Sequence, residues 1–91
     1  MIFKWDPTKA ATNASKHGVD FREAASVLED SLSTTFPDTG HSRQERRFVT
    51  VGVSSKQRLL VVSHTEDGQT IRIISARRVT RRERRFYEEG S

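Results

Sequence analysis

The sequence contains no cysteine, only two prolines and no long apolar run. Without thiols the chain forms no disulfide and offers no thiolate ligands for zinc. No apolar segment approaches the roughly 18–20 residues that a membrane-spanning helix needs. The polar N-terminus does not resemble a signal peptide. At 91 residues, the chain is expected to form a single domain over residues 1–91, located in the cytoplasm.

Positive charge is concentrated near the C-terminal end. The whole chain has 16 Lys and Arg against 12 Asp and Glu, a formal net charge of +4. Residues 72–90 hold seven arginines and three acids, whereas residues 1–71 hold nine bases and nine acids and are neutral. Such a basic end indicates a polyanionic partner, most simply nucleic acid, although charge alone is also compatible with a solvated basic surface.

Capping signals predict two helices in the N-terminal third. Asp6-Pro7 places a capping acid before a proline, which is tolerated in the first helical turn. A helix is therefore expected over residues 8–16, with Gly18 as its stop. Asp20 followed three residues later by Glu23 resembles a capping box and predicts a second helix. Apolar residues at helical spacing in that segment indicate that the second helix buries one side.

A third helix is predicted at the C-terminal end. Thr80 and Glu83 have the spacing of a capping box, and Gly90 is a natural stop. Phe86 and Tyr87 are the large apolar residues that could anchor this helix.

Five β-favouring segments complete the predicted architecture. Asp67-Gly68 lies between the last two and predicts a tight type I′ hairpin. The predicted order is β-α-α-(β)-β-β-β-α. Short links between the late strands favour a small antiparallel sheet with helices on one face, an α+β fold. The segments are residues 2–5, 34–36, 47–53, 59–62 and 69–77.

Two arginines lie on the last predicted strand. Strand alternation predicts that Arg77 shares a face with Ile71, whereas Arg72 lies on the opposite face. A guanidinium beside large apolar residues needs a partner. That partner is either an acid of the chain, such as Glu45 or Glu66, or a phosphate.

The residues available for catalysis are restricted. The chain has no glycine-rich phosphate loop, no G-x-S-x-G motif and no Cys/His pair. Its histidines, His17, His41 and His64, lack the spacing of metal ligands, so neither a metal nor a cofactor is predicted. Cleavage of RNA by its own 2′-OH fits the remaining residue types. It needs a base, cations for the charged phosphorane and an acid for the leaving 5′-oxygen.

Four segments carry a family resemblance: FKWDPTKAATNASKHGVDF, HSRQERRFVTVG, LLVVSHTE and IRIISARRVTRRERRFYE. Together they cover nearly the whole chain, which resembles the BrnT toxins. One matching pattern is R-I-I-S-A-R at residues 72–77. The other, W-D-x-x-K-x-x-x-N-x-x-K-H-G-V-x-F, is formed by Trp5, Asp6, Lys9, Asn13, Lys16, His17, Gly18, Val19 and Phe21.

This resemblance implies a RelE-like ribonuclease fold, a compact sheet with helices on one side. It implies a toxin of a bacterial type II toxin–antitoxin system that cleaves RNA and arrests growth. The expected partner is a BrnA-like ribbon-helix-helix antitoxin, which neutralises the toxin and represses the operon together with it. Operator DNA is then contacted only through the antitoxin.

The resemblance also suggests an active surface. His17 or Glu45 is expected to move protons, while Arg47 and Arg77 hold the phosphate. An alternative interpretation is a decayed toxin that binds nucleic acid or antitoxin without catalysis. Trp5 is expected to anchor the core rather than to stack on a base. The expected active-surface residues are Lys16, His17, Glu45, Arg47, His64, Arg72 and Arg77, and the expected RNA-backbone contacts are Arg78, Arg81, Arg82 and Arg85.

Overall fold

The computed structural model of the chain describes residues 1–41 and 46–89. Within these ranges the order of helices and strands confirms the prediction from the sequence, including the edge strand before the central loop. A short 3₁₀ turn, Thr39–His41, follows that edge strand. The bounds are β1 Ile2–Lys4, α1 Pro7–His17, α2 Phe21–Leu28, β2 Thr34–Pro37, β3 Arg47–Val53, β4 Leu59–Asp67, β5 Thr70–Arg78 and α3 Arg81–Glu88.

The strands form one sheet in the order β1-β5-β4-β3-β2. β2 to β5 are antiparallel neighbours, as the short links between the late strands predict. β1 adds to the outer edge of β5 in parallel and pairs only with its first three residues, from Ile2 opposite Thr70 to Lys4 opposite Arg72. Among the described residues, no strand pairs with the rest of that edge of β5.

The first two helices cover one face of the sheet and form the core with it. Phe21 and Val27 of α2 are fully buried against Leu60 and Ile73 of the sheet. Trp5 packs against this core, with its ring edge-on to Phe21 at 6.1 Å between centroids. The expected role of Trp5 as a core anchor is thus confirmed.

The third helix lies on the other side of the sheet. Thr80 and Glu83 form the predicted capping box at its start, but no residue of α3 is buried. Phe86 is 61% exposed rather than an anchor, and the Tyr87 hydroxyl donates a hydrogen bond to the Leu32 carbonyl at 3.4 Å. The expectation of helices on a single side holds for α1 and α2 and is wrong for α3.

A β-bulge changes the face on which Arg77 lies. The pairing of β4 with β5 shifts register after Ser63, which leaves Ile74 as an extra residue on β5. The bulge reverses the alternation, so Ser75 and Arg77 point away from the helical layer while Ile71 is buried on the core side. The prediction that Arg77 shares a face with Ile71 is therefore wrong.

The hairpin between β4 and β5 turns one residue later than predicted. Asp67 pairs with Thr70, so Gly68 and Gln69 are the two turn residues. Gly68 has φ of 62° and Gln69 does not have a positive φ. A positive φ at the first turn position alone is the pattern of type II′ and not of type I′.

The start of α2 uses its capping acid as predicted, but Glu23 has a different role. The Asp20 side chain accepts a hydrogen bond from the Glu23 backbone N–H at 2.8 Å. The Glu23 carboxylate turns inward, where it accepts hydrogen bonds from Ser54 Oγ at 2.6 Å and Arg58 Nε at 2.9 Å, and it is also paired with Arg58 Nη2. These bonds, above all those from Arg58, hold the pKa of Glu23 below its ordinary value despite burial. The buried ion pair ties α2 to the turn between β3 and β4.

Candidate active site

Three arginines share the face of the sheet that α1 and α2 leave uncovered. Cross-strand partners lie on the same face, and three rows of partners cross β3, β4 and β5. Two arginines stand in one row and Arg77 stands two rows away, with Ser75 in the row between them. The rows are Arg47–Thr65–Arg72, Val49–Ser63–Ser75 and Val51–Val61–Arg77.

A groove separates this face from α3. We call it the α3 groove; its volume is about 790 Å³. Its floor is largely aliphatic and hydroxylic, and α3 forms one wall with two aromatic and two charged side chains. The floor includes Val49, Val51, Val61, Ser63 and Ser75, and the wall includes Arg82, Glu83, Phe86 and Tyr87.

Arg77 lines the α3 groove and is paired with Glu83 of the helix wall. Its Nη1 and Nη2 donate to the two carboxylate oxygens of Glu83 at 2.8 and 3.0 Å. Among the described residues the intramolecular partner is thus Glu83 and not Glu66, and Glu45 lies outside the described residues. Nη1 also donates to the Arg78 carbonyl at 3.2 Å. These bonds use three of the five guanidinium N–H groups.

The ion pair makes Glu83 a poor proton acceptor. The Arg77 hydrogen bonds and the Thr80 backbone N–H lower the pKa of Glu83 to about 2. A carboxylate with this pKa stays ionised near neutral pH and takes up a proton only weakly. Glu83 therefore acts as a tether between β5 and α3.

A second, smaller pocket lies between α1 and β5. We call it the α1–β5 pocket; its volume is about 260 Å³. It brings Lys9, Lys16 and His17 of the helix next to Ile74 and Ser75 of the bulge. Lys16 is exposed and His17 is half-buried, so both side chains can reach solvent. Because Ser75 also lines the α3 groove, the two cationic surfaces meet at this residue.

Asn13 holds α1 against β5 and so positions both surfaces. Its amide Nδ2 donates to the carbonyls of Ala76 at 2.8 Å and Val19 at 2.9 Å, and its Oδ1 accepts from the Ala76 N–H at 3.0 Å. The amide thus pairs with β5 as a neighbouring strand would, where β1 has already ended. Sequence reasoning included Asn13 only as a position of the family pattern. A polar residue on the inner side of a helix is the signal that could have identified it.

His64 is separated from these surfaces. It lies on the helix-facing side of the sheet and is 1% exposed. Its Nε2 is 2.7 Å from Thr50 Oγ1, and its ring is stacked on Phe48 with 5.9 Å between centroids. Burial lowers the pKa of His64, an effect that the nearby Glu66 carboxylate partly opposes. The fold therefore does not bring His64 together with Arg77.

The arginines expected to contact the RNA backbone lie on two sides of α3. Arg82 lines the α3 groove. Arg81 and Arg85 lie on the outer side, together with Arg84, which pairs with Glu88 at 3.7 Å. Arg78 is exposed at the end of β5.

Two further properties concern the described residues alone. Within residues 1–41 and 46–89, no group of three or more His, Asp or Glu side chains is arranged to hold a metal ion. In the same ranges, no helix has the length and apolar character that crossing a membrane requires.

Comparison with known proteins identifies similar sequences and folds. A sequence model of the family described as "Ribonuclease toxin, BrnT, of type II toxin-antitoxin system" matches residues 5–83. The 1.1 Å crystal structure of the Brucella abortus ribonuclease toxin BrnT is similar, with a TM-score of 0.67 and 24% sequence identity. The match covers 89% of this chain and 100% of the other. A comparison with curated protein sequences finds no match. At this identity the structural similarity shows the fold.

Proposed function

The chain belongs to the BrnT family of ribonuclease toxins of type II toxin–antitoxin systems, and from this premise we propose that it is an endoribonuclease that cleaves RNA by attack of the 2′-OH, without a metal ion. The observation that carries the proposal is the meeting of two cationic surfaces at Ser75. One surface supplies a histidine that reaches solvent, and the other supplies guanidinium groups.

His17 is the group that we assign to proton transfer. Among the described candidates it is the histidine that is accessible and lies next to the arginine-bearing strand. His64 is buried on the other face of the sheet, and the low pKa of Glu83 makes it a weak base. Histidine suits both removal of a proton from the 2′-OH and donation of one to the leaving 5′-oxygen. Glu45 stays a second candidate from the sequence.

Cations around Ser75 would stabilise the reacting phosphate. In the proposed reaction the 2′-oxygen forms a bond to phosphorus, the bond to the 5′-oxygen breaks, and a 2′,3′-cyclic phosphate results. Arg77 lies on one side of Ser75 and the row of Arg47 and Arg72 on the other. Together with Lys16, they can offset the negative charge that develops on the phosphorane.

Arginines farther from Ser75 would bind phosphates of the RNA backbone. Arg82 extends the cationic surface along the α3 groove, and Arg78 lies at the end of the same strand as Arg77. Arg81 and Arg85 face outward from α3 and suit phosphates farther along the strand. Several phosphate contacts of this kind make binding fall steeply with salt.

The family implies an antitoxin, and we propose that it is a BrnA-like ribbon-helix-helix protein acting in the cytoplasm. Its binding would suppress the arrest of growth that RNA cleavage causes. The pair would then repress its own operon, with the operator contacted by the antitoxin. Support for this part comes from family membership and the resemblance of the sequence.

The growth of cells that express variants tests the assignment of Arg77. Arg77→Ala should restore growth because it removes a cation from the proposed phosphate site. The matched control is Glu83→Gln, which weakens the same ion pair but keeps the guanidinium, and it should stay toxic. Full toxicity of Arg77→Ala would contradict the site. Loss of toxicity in both variants, with folding intact, would instead assign the effect to the tether between β5 and α3.

A further inference from the structure

One face of the sheet lacks the layer that covers the other. On the core side α1 and α2 bury Leu60, Val62 and Ile73 almost completely. On the side of α3, the aliphatic residues Val49, Val51 and Val61 are only half-buried. A sheet with apolar residues on both faces is normally packed on both. The described part of the chain provides only α3 for this purpose.

Helix α3 does not complete that layer. It has eight residues, none of them buried, and the α3 groove remains open beside it. Two large apolar side chains line the groove and remain exposed to solvent: Phe86 is 61% exposed and Phe36 is 51% exposed. A cluster of exposed apolar groups around an apolar groove is typical of an interaction site.

The charge around the groove restricts what can occupy it. Arg82 lines the groove, and residues 72–90 together carry a net charge of +4, from seven arginines and three acids. A second copy of this chain that packs through the same groove would bring its own arginine-rich α3 against this surface, which like charges disfavour. An RNA phosphate at Arg77 and Ser75 would occupy the β5 side of the groove, but a nucleic acid strand does not suit the aliphatic floor, since phosphates cannot be desolvated against valine side chains without cost.

We propose that the α3 groove binds an acidic amphipathic helix of a partner protein. The apolar side of that helix covers Val49, Val51 and Val61, and its carboxylates pair with Arg82 at the rim. This is the helix-in-groove mode of recognition, in which apolar anchors at helical spacing enter a preformed groove. The inference rests on the antitoxin partner of the proposed function and locates its binding surface. It does not depend on the chemistry of RNA cleavage.

A binding experiment with the full chain and no RNA tests the proposal. The probe is a synthetic peptide of about 18 residues, long enough to be helical, with leucine on one side and glutamate on the other. A second peptide carries lysine in place of each glutamate. Affinity is measured by calorimetry, and the binding surface is mapped from amide NMR shifts of the protein.

Two pairs of variants distinguish binding of the peptide in the α3 groove from nonspecific electrostatic attraction of an acidic peptide to a basic protein. Arg82→Glu should weaken binding of the acidic peptide by about fivefold or more, whereas Arg84→Glu, on the outer side of α3, makes the same change in charge with a smaller effect. Phe86→Ala should weaken binding by about fivefold or more, whereas Ile2→Ala, at the far edge of the sheet, should leave it unchanged. Both apolar side chains are exposed, so their loss should not impair folding.

Each outcome decides the proposal. Binding of the acidic peptide alone, with shifts on β3, β4 and α3 and the expected order of variants, supports it. Equal effects of Arg82→Glu and Arg84→Glu, binding of the lysine peptide, or no binding at about millimolar peptide overturns it. Dimers that Phe86→Ala dissociates would assign the groove to a second copy. RNA phosphates bound at Arg77 and Ser75 are expected to shift amides of β5 and its neighbour β4. Shifts with an RNA oligonucleotide at Phe36 and Val49, on the opposite side of the groove, would assign its apolar floor to substrate. Either result also overturns the proposal.

Discussion

The carboxamide of Asn13 is hydrogen-bonded to both the N–H and the C=O of Ala76, the residue that lies between Ser75 and Arg77 on β5. This pairing occupies the edge of β5 beyond the end of β1. It fixes the distance between the helix that carries His17 and the strand that carries Arg77. One buried side chain thus connects the two surfaces that the proposed reaction needs.

Replacement of Asn13 should destabilise the protein strongly. Asn13→Ala leaves the N–H and C=O of Ala76 buried without this partner, at a cost of about 2–4 kcal/mol in the free energy of unfolding. Asn13→Asp should also destabilise, because a carboxylate donates no hydrogen bond to the carbonyls of Val19 and Ala76. Urea unfolding measures both, with the exposed Thr12→Ala on the same helix as the control. A decrease in the free energy of unfolding of less than about 0.5 kcal/mol for Asn13→Ala is typical of a surface substitution. Such a result would contradict the role of Asn13 in holding α1 against β5.

The stability of the fold should fall as pH decreases below the ordinary pKa of histidine. Burial holds the pKa of His64 below its ordinary value of 6.5 in the folded chain. As the pH falls through 6.5 the unfolded chain takes up the proton first, so the free energy of unfolding decreases from there down to the folded pKa. Urea midpoints between pH 8 and about pH 5 measure this decrease.

Two variants identify the histidine responsible. His64→Gln can keep a hydrogen bond to Thr50 and should flatten the dependence on pH in this window. His17→Gln removes the half-buried histidine of the α1–β5 pocket and should leave the dependence of stability on pH unchanged. If the reverse is found, the pH sensitivity does not arise from the burial of His64.

Acid should release α3 from the sheet before the core unfolds. The pKa of Glu83 is about 2 in the folded chain against an ordinary value of 4.5. The stabilisation from its bonds to Arg77 is therefore present above pH 4.5 and is lost as the pH falls toward 2. The protection of amides within α3, measured relative to their intrinsic exchange rates at each pH, should fall in that window while β4 stays protected. Glu83→Gln should show the reduced protection already at neutral pH, and unchanged protection in this variant would contradict the tether.

Local signals in the sequence predicted most of the fold. Caps at Asp6, Asp20 and Thr80 predicted the starts of the three helices because each depends on a side chain bonding to its own neighbours in the chain. Contacts between distant segments were not accessible in this way. Glu23 was expected to complete a cap and instead pairs with Arg58, 35 residues away.

The geometry of the candidate site depends on a β-bulge and on a long-range ion pair, and neither could be predicted from the sequence. Strand alternation placed Arg77 on the wrong face because one extra residue, Ile74, reverses the pattern, and no local signal marks this bulge. The sequence alone also did not reveal that the Glu83 carboxylate accepts hydrogen bonds both from the Thr80 N–H, in the cap of α3, and from Arg77. The resemblance to the BrnT toxins supplied Lys16 and His17 as candidates, and the fold brings both next to Ser75.

Cleavage by attack of the 2′-OH is tested most directly with purified, partner-free protein, a labelled RNA and EDTA. We expect fragments that end in 2′,3′-cyclic phosphate, and these should be strongly reduced for His17→Gln and unchanged for Arg84→Ala. RNA that stays intact, both with and without ribosomes, would contradict the proposed reaction and favour a module that binds nucleic acid or antitoxin without cleaving RNA.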